Sequence, residues 1–309
     1  MVRLIIFLIA ILQMACASNS ALRASQRAGI DPDILLRAPG LVIGELSEEQ
    51  TTVDDLFYLS DSMRHYLKIT AKGNNPVERM NAVLADLRSR GAHFEYELNR
   101  TTSASEAFAQ QRGNCVSHAA MVVAMARHLG LKAYINQAQL NAGQEISESG
   151  SGVPFRQRIS HINAVVVIDD RPFIIEPGYG IYFGKYLHRL SDREARSLYL
   201  NNLAMEAMLQ DDLSQAFAHI RTAIRLDLDS SVLWGGLGTI YRRMGEERLA
   251  EQTFLHALNL NPGDSVAQHN LELVRASLRE EATYADAGLV RAVPGGATHR
   301  QEEIHRLRD

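Results

Sequence analysis

The stretch Gln111-Arg112-Gly113-Asn114-Cys115-Val116-Ser117-His118 constrains the fold more than any other in this chain of 309 residues. A glycine turn introduces a helix whose apolar face runs through Ala119, Val122, Val123, Met125, Ala126 and Leu129. Gly130 stands where that helix stops. Cys115 falls on its first turn, where unpaired amides and the positive dipole end stabilise a thiolate, so the sequence predicts a thiol more acidic than a free one. The only other cysteine is Cys16, which excludes a disulfide framework and any multi-cysteine zinc site.

Two β-rich runs, 162–168 and 171–176, flank Asp169-Asp170 and read as a hairpin with a two-residue turn. Ile168 then opposes Arg171, and Asn163 opposes Glu176. Side chains alternate, so His161, Asn163 and Glu176 emerge on one face at one end of the ladder. His161 and Glu176 become diagonal neighbours about 7–8 Å apart at the backbone, within side-chain reach. A carboxylate that orients an imidazole is what a thiol-activating base requires. Cys115, His161 and Glu176 are therefore the candidate catalytic set. His118, one turn beyond Cys115, competes as a base but is read as a surface or supporting histidine. The Cys115 amide is a natural oxyanion donor. Residues 141–152 hold three Gly, three Ser and two Glu and read as a flexible loop.

Gly113-Asn114-Cys115 opening an apolar helix that ends in His128-Leu129-Gly130-Leu131, a His at a strand start, and an acidic residue followed by Pro177 together resemble the transglutaminase-like domain. The likeness covers roughly residues 50–190, including the capped helix begun by Asn75-Pro76-Val77-Glu78 and the capping box Ser103-Ala104-Ser105-Glu106. It implies a papain-like α+β fold with Cys115 as nucleophile, His161 as base and Glu176 as orienting acid. The family usually has Asp at the acid position. The extra methylene of Glu176 shifts the carboxylate by about a bond length, and a misplacement of about 1 Å can cost about a hundredfold in rate.

Ser191-Asp192-Arg193-Glu194 opens a region with another period. Trp234, Leu237, Gly238, Tyr241, Ala250, Phe254, Ala257 and Pro262 resemble the full spacing of a tetratricopeptide repeat, filling the 34-residue period from Ser231 to Asp264. One period earlier Leu200, Leu203, Ala204, Ala207, Ala216, Ile220, Ala223 and Leu228 form a degenerate repeat. A capping helix follows, through about Ala282. These positions are core rather than chemistry, and such helical surfaces usually bind peptides or partner proteins.

At the other end, Arg3 precedes an apolar run from Leu4 to Leu12. Nine helical residues rise about 14 Å, less than half of a bilayer core, so the run reads as a secretory signal rather than a mature span. Small residues before Cys16 resemble a bacterial lipoprotein lipobox, with Cys16 lipidated and outer-membrane sorting implied by Ala17. Gln13 departs from that pattern. Cleavage after Ala15-Cys16-Ala17, releasing a soluble periplasmic protein, also fits, and a third reading makes Cys16 incidental.

The expected organisation is a signal over 1–16, a tether over 17–50, a transglutaminase-like domain over 51–190, an all-α repeat region over 191–282 and a tail over 283–309. A formal charge of -4, from 32 Lys and Arg against 36 Asp and Glu, advertises no nucleic-acid partner. No ligand spacing for a metal is present, and no organic cofactor is implied. The expected activity is that of a membrane-anchored extracytoplasmic cysteine hydrolase or acyl transferase acting on peptide or amide bonds, with a protein or peptide substrate and a protein partner at the repeats. The alternative is a catalytically weak periplasmic scaffold or peptide-binding protein. The lipobox reading has a direct check: the full chain should take up radiolabelled palmitate in a bacterial host and lose the label in Cys16→Ser, whereas an unlabelled chain supports simple cleavage.

Overall fold

The structure is a computed structural model that describes residues 31–37, 55–89, 94–138, 144–148, 154–176, 181–183 and 187–286. Cys16 and Pro177 lie outside the described residues. In chain order the elements are α1 (Pro32–Leu35), α2 (Asp61–Thr70), α3 (Pro76–Ser89), β1 (Glu95–Tyr96), α4 (Ala104–Gln110), β2 (Arg112–Gly113), α5 (Cys115–His128), β3 (Lys132–Ala138), β4 (Gln144–Glu148), β5 (Phe155–Ile159), β6 (Ile162–Ile168), β7 (Arg171–Ile175), β8 (Ile181–Phe183), β9 (Leu187–Arg189), α6 (Asp192–Leu209), α7 (Leu213–Leu226), α8 (Ser231–Arg243), α9 (Glu247–Leu260) and α10 (Ser265–Asp286). No helix among the described residues is long and apolar enough to cross a membrane.

The chain divides into two compact units. One contains residues 44–150 and 156–228, the other 1–43, 151–155 and 229–309. In the first, five strands form an antiparallel sheet in the order β8-β7-β6-β3-β9. α5 packs on β6 and β3, and α4 packs on α5. From Cys115 to Ala126 every residue of α5 is buried, as a helix enclosed on all sides requires. The β6–β7 hairpin pairs Ile168 with Arg171 as the alternation predicts. Both turn residues, Asp169 and Asp170, have positive φ, of 48° and 58°. That is the two-residue turn whose twist matches the strands, and aspartate tolerates it better than most side chains.

Two expectations change here. Part of the stretch read as a flexible loop, 144–148, is strand β4 paired with β5. The helices that open the repeat-like region, α6 and α7, are grouped with the sheet rather than with the second unit. Side-chain ties explain the grouping: Arg127 grips Asp192 through two 2.8 Å bonds, and Arg196 Nη2 lies 2.8 Å from Asp55.

In the second unit α8 and α9 form a tight helical pair. Trp234, Leu237, Tyr241, Ala250, Phe254 and Ala257 are all fully buried. Asp264 accepts from the Ser231 hydroxyl at 3.0 Å and caps α10 through the amides of Val266 and Ala267, so the two ends of the 34-residue period meet. α10 runs to Asp286, four residues beyond the expected end. Within the stretch read as tether, α1 buries Leu35, whose carbonyl accepts from the Tyr241 hydroxyl.

A side chain at Gly238 would meet the Phe254 ring at 2.8 Å. Gly238→Ala is expected to destabilise this unit by about 1–3 kcal/mol through overpacking. Denaturant unfolding followed by the fluorescence of Trp234, the only tryptophan in the chain, reads the loss directly.

Candidate active site

Cys115 begins α5 because Asn114 caps it. The Asn114 Oδ1 accepts from the amides of Val116 and Ser117 at 3.1 Å each, which satisfies two of the donors a helix start leaves open. Gly113, with φ of 148°, makes the turn into the cap. A side chain there would press on Ser117 Cβ at 2.7 Å, so both conformation and space demand glycine. β1 pairs in parallel with β2, placing Tyr96 opposite Gly113. From there the Tyr96 hydroxyl hydrogen-bonds to the Cys115 sulfur.

The thiol reaches the hairpin on both sides of His161. Its Sγ donates to the Ser160 carbonyl at 4.0 Å, and the nearby Ile162 amide favours its charged form. The His161 Nε2 lies 3.1 and 3.0 Å from the two Glu176 oxygens. Asn163 Nδ2 donates to Glu176 Oε1 at 3.0 Å, and Asn136 Nδ2 donates to Asn163 Oδ1 at 2.9 Å. Cys115, His161 and Glu176 are thus brought into one neighbourhood, with Asn163 and Asn136 behind the acid. The longer side chain of Glu176 does reach the imidazole.

The electrostatics depart from expectation at the sulfur. Burial pushes the Cys115 thiol above its ordinary value, while amides of Ile162, Val116 and Cys115 and the Tyr96 hydroxyl pull it back only in part. A helix start favours the thiolate, but with only 8% of Cys115 exposed desolvation outweighs it. The predicted depression is therefore corrected to an elevation. Tyr96, half exposed, is pushed up to about 12 by partial desolvation and the neighbouring sulfur and stays a hydroxyl donor. The hydrogen bond to Glu176 raises His161 against its partial burial. Glu176 is raised by burial but lowered on balance by His161, Asn163 and His118.

His118 is fully buried, not a surface residue, and its ring meets Phe94 edge-on at 5.0 Å. Burial drives it down to about 4 although Glu176 opposes the shift, so it stays neutral and is the weaker choice of base. Sequence reasoning missed Tyr96 and Asn136 as parts of the site. Asn136 carried a readable signal, a polar residue inside the buried run Ala133-Tyr134-Ile135. Tyr96 carried none beyond its resemblance context, since a two-residue strand has no period.

Residues 66–175 match the model of the transglutaminase-like superfamily, and residues 232–264 match a tetratricopeptide repeat. The chain has a transglutaminase-like domain followed by a helical repeat region. The first match spans Cys115 and His161 and ends one residue before Glu176. No curated protein matches the chain.

The His161–Glu176 pair gives a signed pH prediction. His161 is raised in the folded state, so its contribution to stability is complete below about 6.5 and fades as pH rises through the folded value. Glu176 is lowered, so its contribution is complete above about 4.5 and fades as pH falls. The stability difference between wild type and Glu176→Gln should peak between those limits. In the same variant the His161 imidazole, followed by NMR titration, should shift down toward 6.5.

Proposed function

We propose that this protein is a membrane-anchored extracytoplasmic cysteine hydrolase or acyl transferase acting on peptide or amide bonds, with the repeat region engaging a protein partner. The observation that carries the reading is that the Cys115 sulfur donates to the carbonyl of Ser160, the residue before His161, whose Nε2 is held by Glu176. In this reading the other ring nitrogen, Nδ1, serves the thiol.

Because burial keeps the thiol neutral, activation is by proton transfer during attack, not by a resting thiolate. His161 Nδ1 takes the thiol proton as Sγ bonds to the amide carbonyl carbon. Glu176 stabilises the imidazolium that forms. The Cys115 amide at the helix start is the natural donor to the developing oxyanion. Collapse breaks the carbon–nitrogen bond, and His161 returns its proton to the departing amine. Water or a second amine, deprotonated by the same imidazole, then attacks the thioester carbonyl and releases Cys115 as a thiol. The family match and the repeat match support this class of chemistry and protein binding respectively. Cys16 supplies the anchor in this reading.

The burial of the thiol favours the second reading, a catalytically weak scaffold whose domain recognises peptides without cleaving them. Activated acyl esters and peptide amides separate the two. Under the enzyme reading an acyl adduct on Cys115 appears by mass spectrometry and turns over. Cys115→Ala abolishes it, and His161→Ala slows it by about 10²–10⁴-fold. A wild-type chain that forms no adduct is the scaffold.

A further inference from the structure

The cap that aims Cys115 does not end at Asn114. Asn114 Nδ2 donates to Thr101 Oγ1 at 2.6 Å, and the Thr101 hydroxyl donates to Glu206 Oε1 at 2.5 Å. On the other side of the cap, the Ser117 hydroxyl donates to Asn114 Oδ1 at 3.2 Å, and its oxygen accepts from the Thr102 amide at 2.8 Å. Thr101, Thr102, Asn114 and Ser117 are all buried. Glu206 is half-buried on α6 and 105 residues away from Thr101 in sequence.

We propose that Glu206 is a positioning residue for Cys115, acting through Thr101 on the Asn114 cap. A carboxylate only accepts, so Thr101 must give its proton to Glu206 and use its oxygen to accept from Asn114. That in turn fixes which end of the Asn114 amide faces the helix. Without it the amide can turn over and set its NH₂ group against the amides of Val116 and Ser117, donor against donor. The amides of Cys115 and Val116 are among the groups that hold down the sulfur's affinity for its proton, so the cap and the nucleophile share a fate. Buried chains of this kind polarise along their length.

α6 is placed for the task by a second tie. Asp192 at its start grips Arg127 near the end of α5, and Glu206 near its end reaches the start of α5. Both spans are about 20 Å of helix, so one helix is fastened to the other directly at one end and through Thr101 at the other. The inference rests on the reading of Cys115 as the nucleophile, and its test is read separately from that reading.

The test is alkylation of Cys115 by iodoacetamide in the full chain, followed by mass spectrometry across pH. In Glu206→Ala and in Thr101→Val the midpoint should rise by roughly half a unit, the scale of a helix-start interaction. The double variant should rise no further than either single one, because both cut the same chain. Thr101→Ser, which keeps the hydroxyl as both donor and acceptor, should stay near wild type. Simple removal of a negative charge acts oppositely and lowers the midpoint, so the sign separates the two effects. Glu206→Asp keeps the charge but withdraws the oxygen. It should shift the midpoint upward too, which keeps the idea testable if the alanine variant does not fold. A wild-type midpoint in Glu206→Asp, a downward shift, or additive shifts in the double variant would overturn the proposal. His161→Ala is run alongside: an unchanged alkylation rate there counts against the nucleophile–base reading and leaves the Glu206 result standing.

Discussion

The enclosure of α5 is the constraint on which the rest of the first unit depends. A helix buried along its length from Cys115 to Ala126 cannot lie on a surface, so it needs a sheet on one side and helices elsewhere. β6 and β3 supply the sheet. The same β6 begins one residue after His161, so the strand that covers the helix also brings His161 to the cysteine at the helix start. The covering of the core and the assembly of the site are one event in this fold.

That enclosure sets the character of the chemistry. Desolvation holds the sulfur as a thiol, and what could stabilise its charge is a small group of fixed donors: three amides and the Tyr96 hydroxyl. Such donors need no reorganisation when charge develops, which is where dipoles held in a dry site are worth most. Under the proposed function such a site is inert at rest and responds to a carbonyl placed against it. It is also sensitive to whatever holds the donors still, which gives the cap at Asn114 an importance beyond the stability of its helix.

What could be read from the sequence follows from the range of each interaction. The hairpin register, and with it the convergence of His161, Asn163 and Glu176, depended on a two-residue turn and a period of two. Both are local. The repeat spacing around Trp234 was legible for a similar reason, since Gly238 must yield to Phe254 wherever two helices approach that closely. Thr101 and Glu206 were not legible, because a hydrogen bond between residues so far apart in the chain leaves no periodic trace. The acidity of Cys115 was misread because position on a helix is visible in sequence and burial of one sulfur is not. Strand β4 was hidden by Gly and Ser content that ordinarily marks a loop.

The glutamate at position 176 shows how the fold accommodates a longer acid. An additional rotatable bond gives the carboxylate freedom that an aspartate lacks, and that freedom would blur the direction of the imidazole. Here Glu176 Oε1 is held by Asn163, and Asn163 is held in turn by Asn136, its partner across β3 and β6. Both asparagines are buried and sit in the rigid interior of the sheet. The ladder thereby replaces the restraint that a shorter side chain would have provided by its length. His161 is oriented by an acid that is itself oriented, and the register of β6 against β3 and β7 carries that orientation into the site.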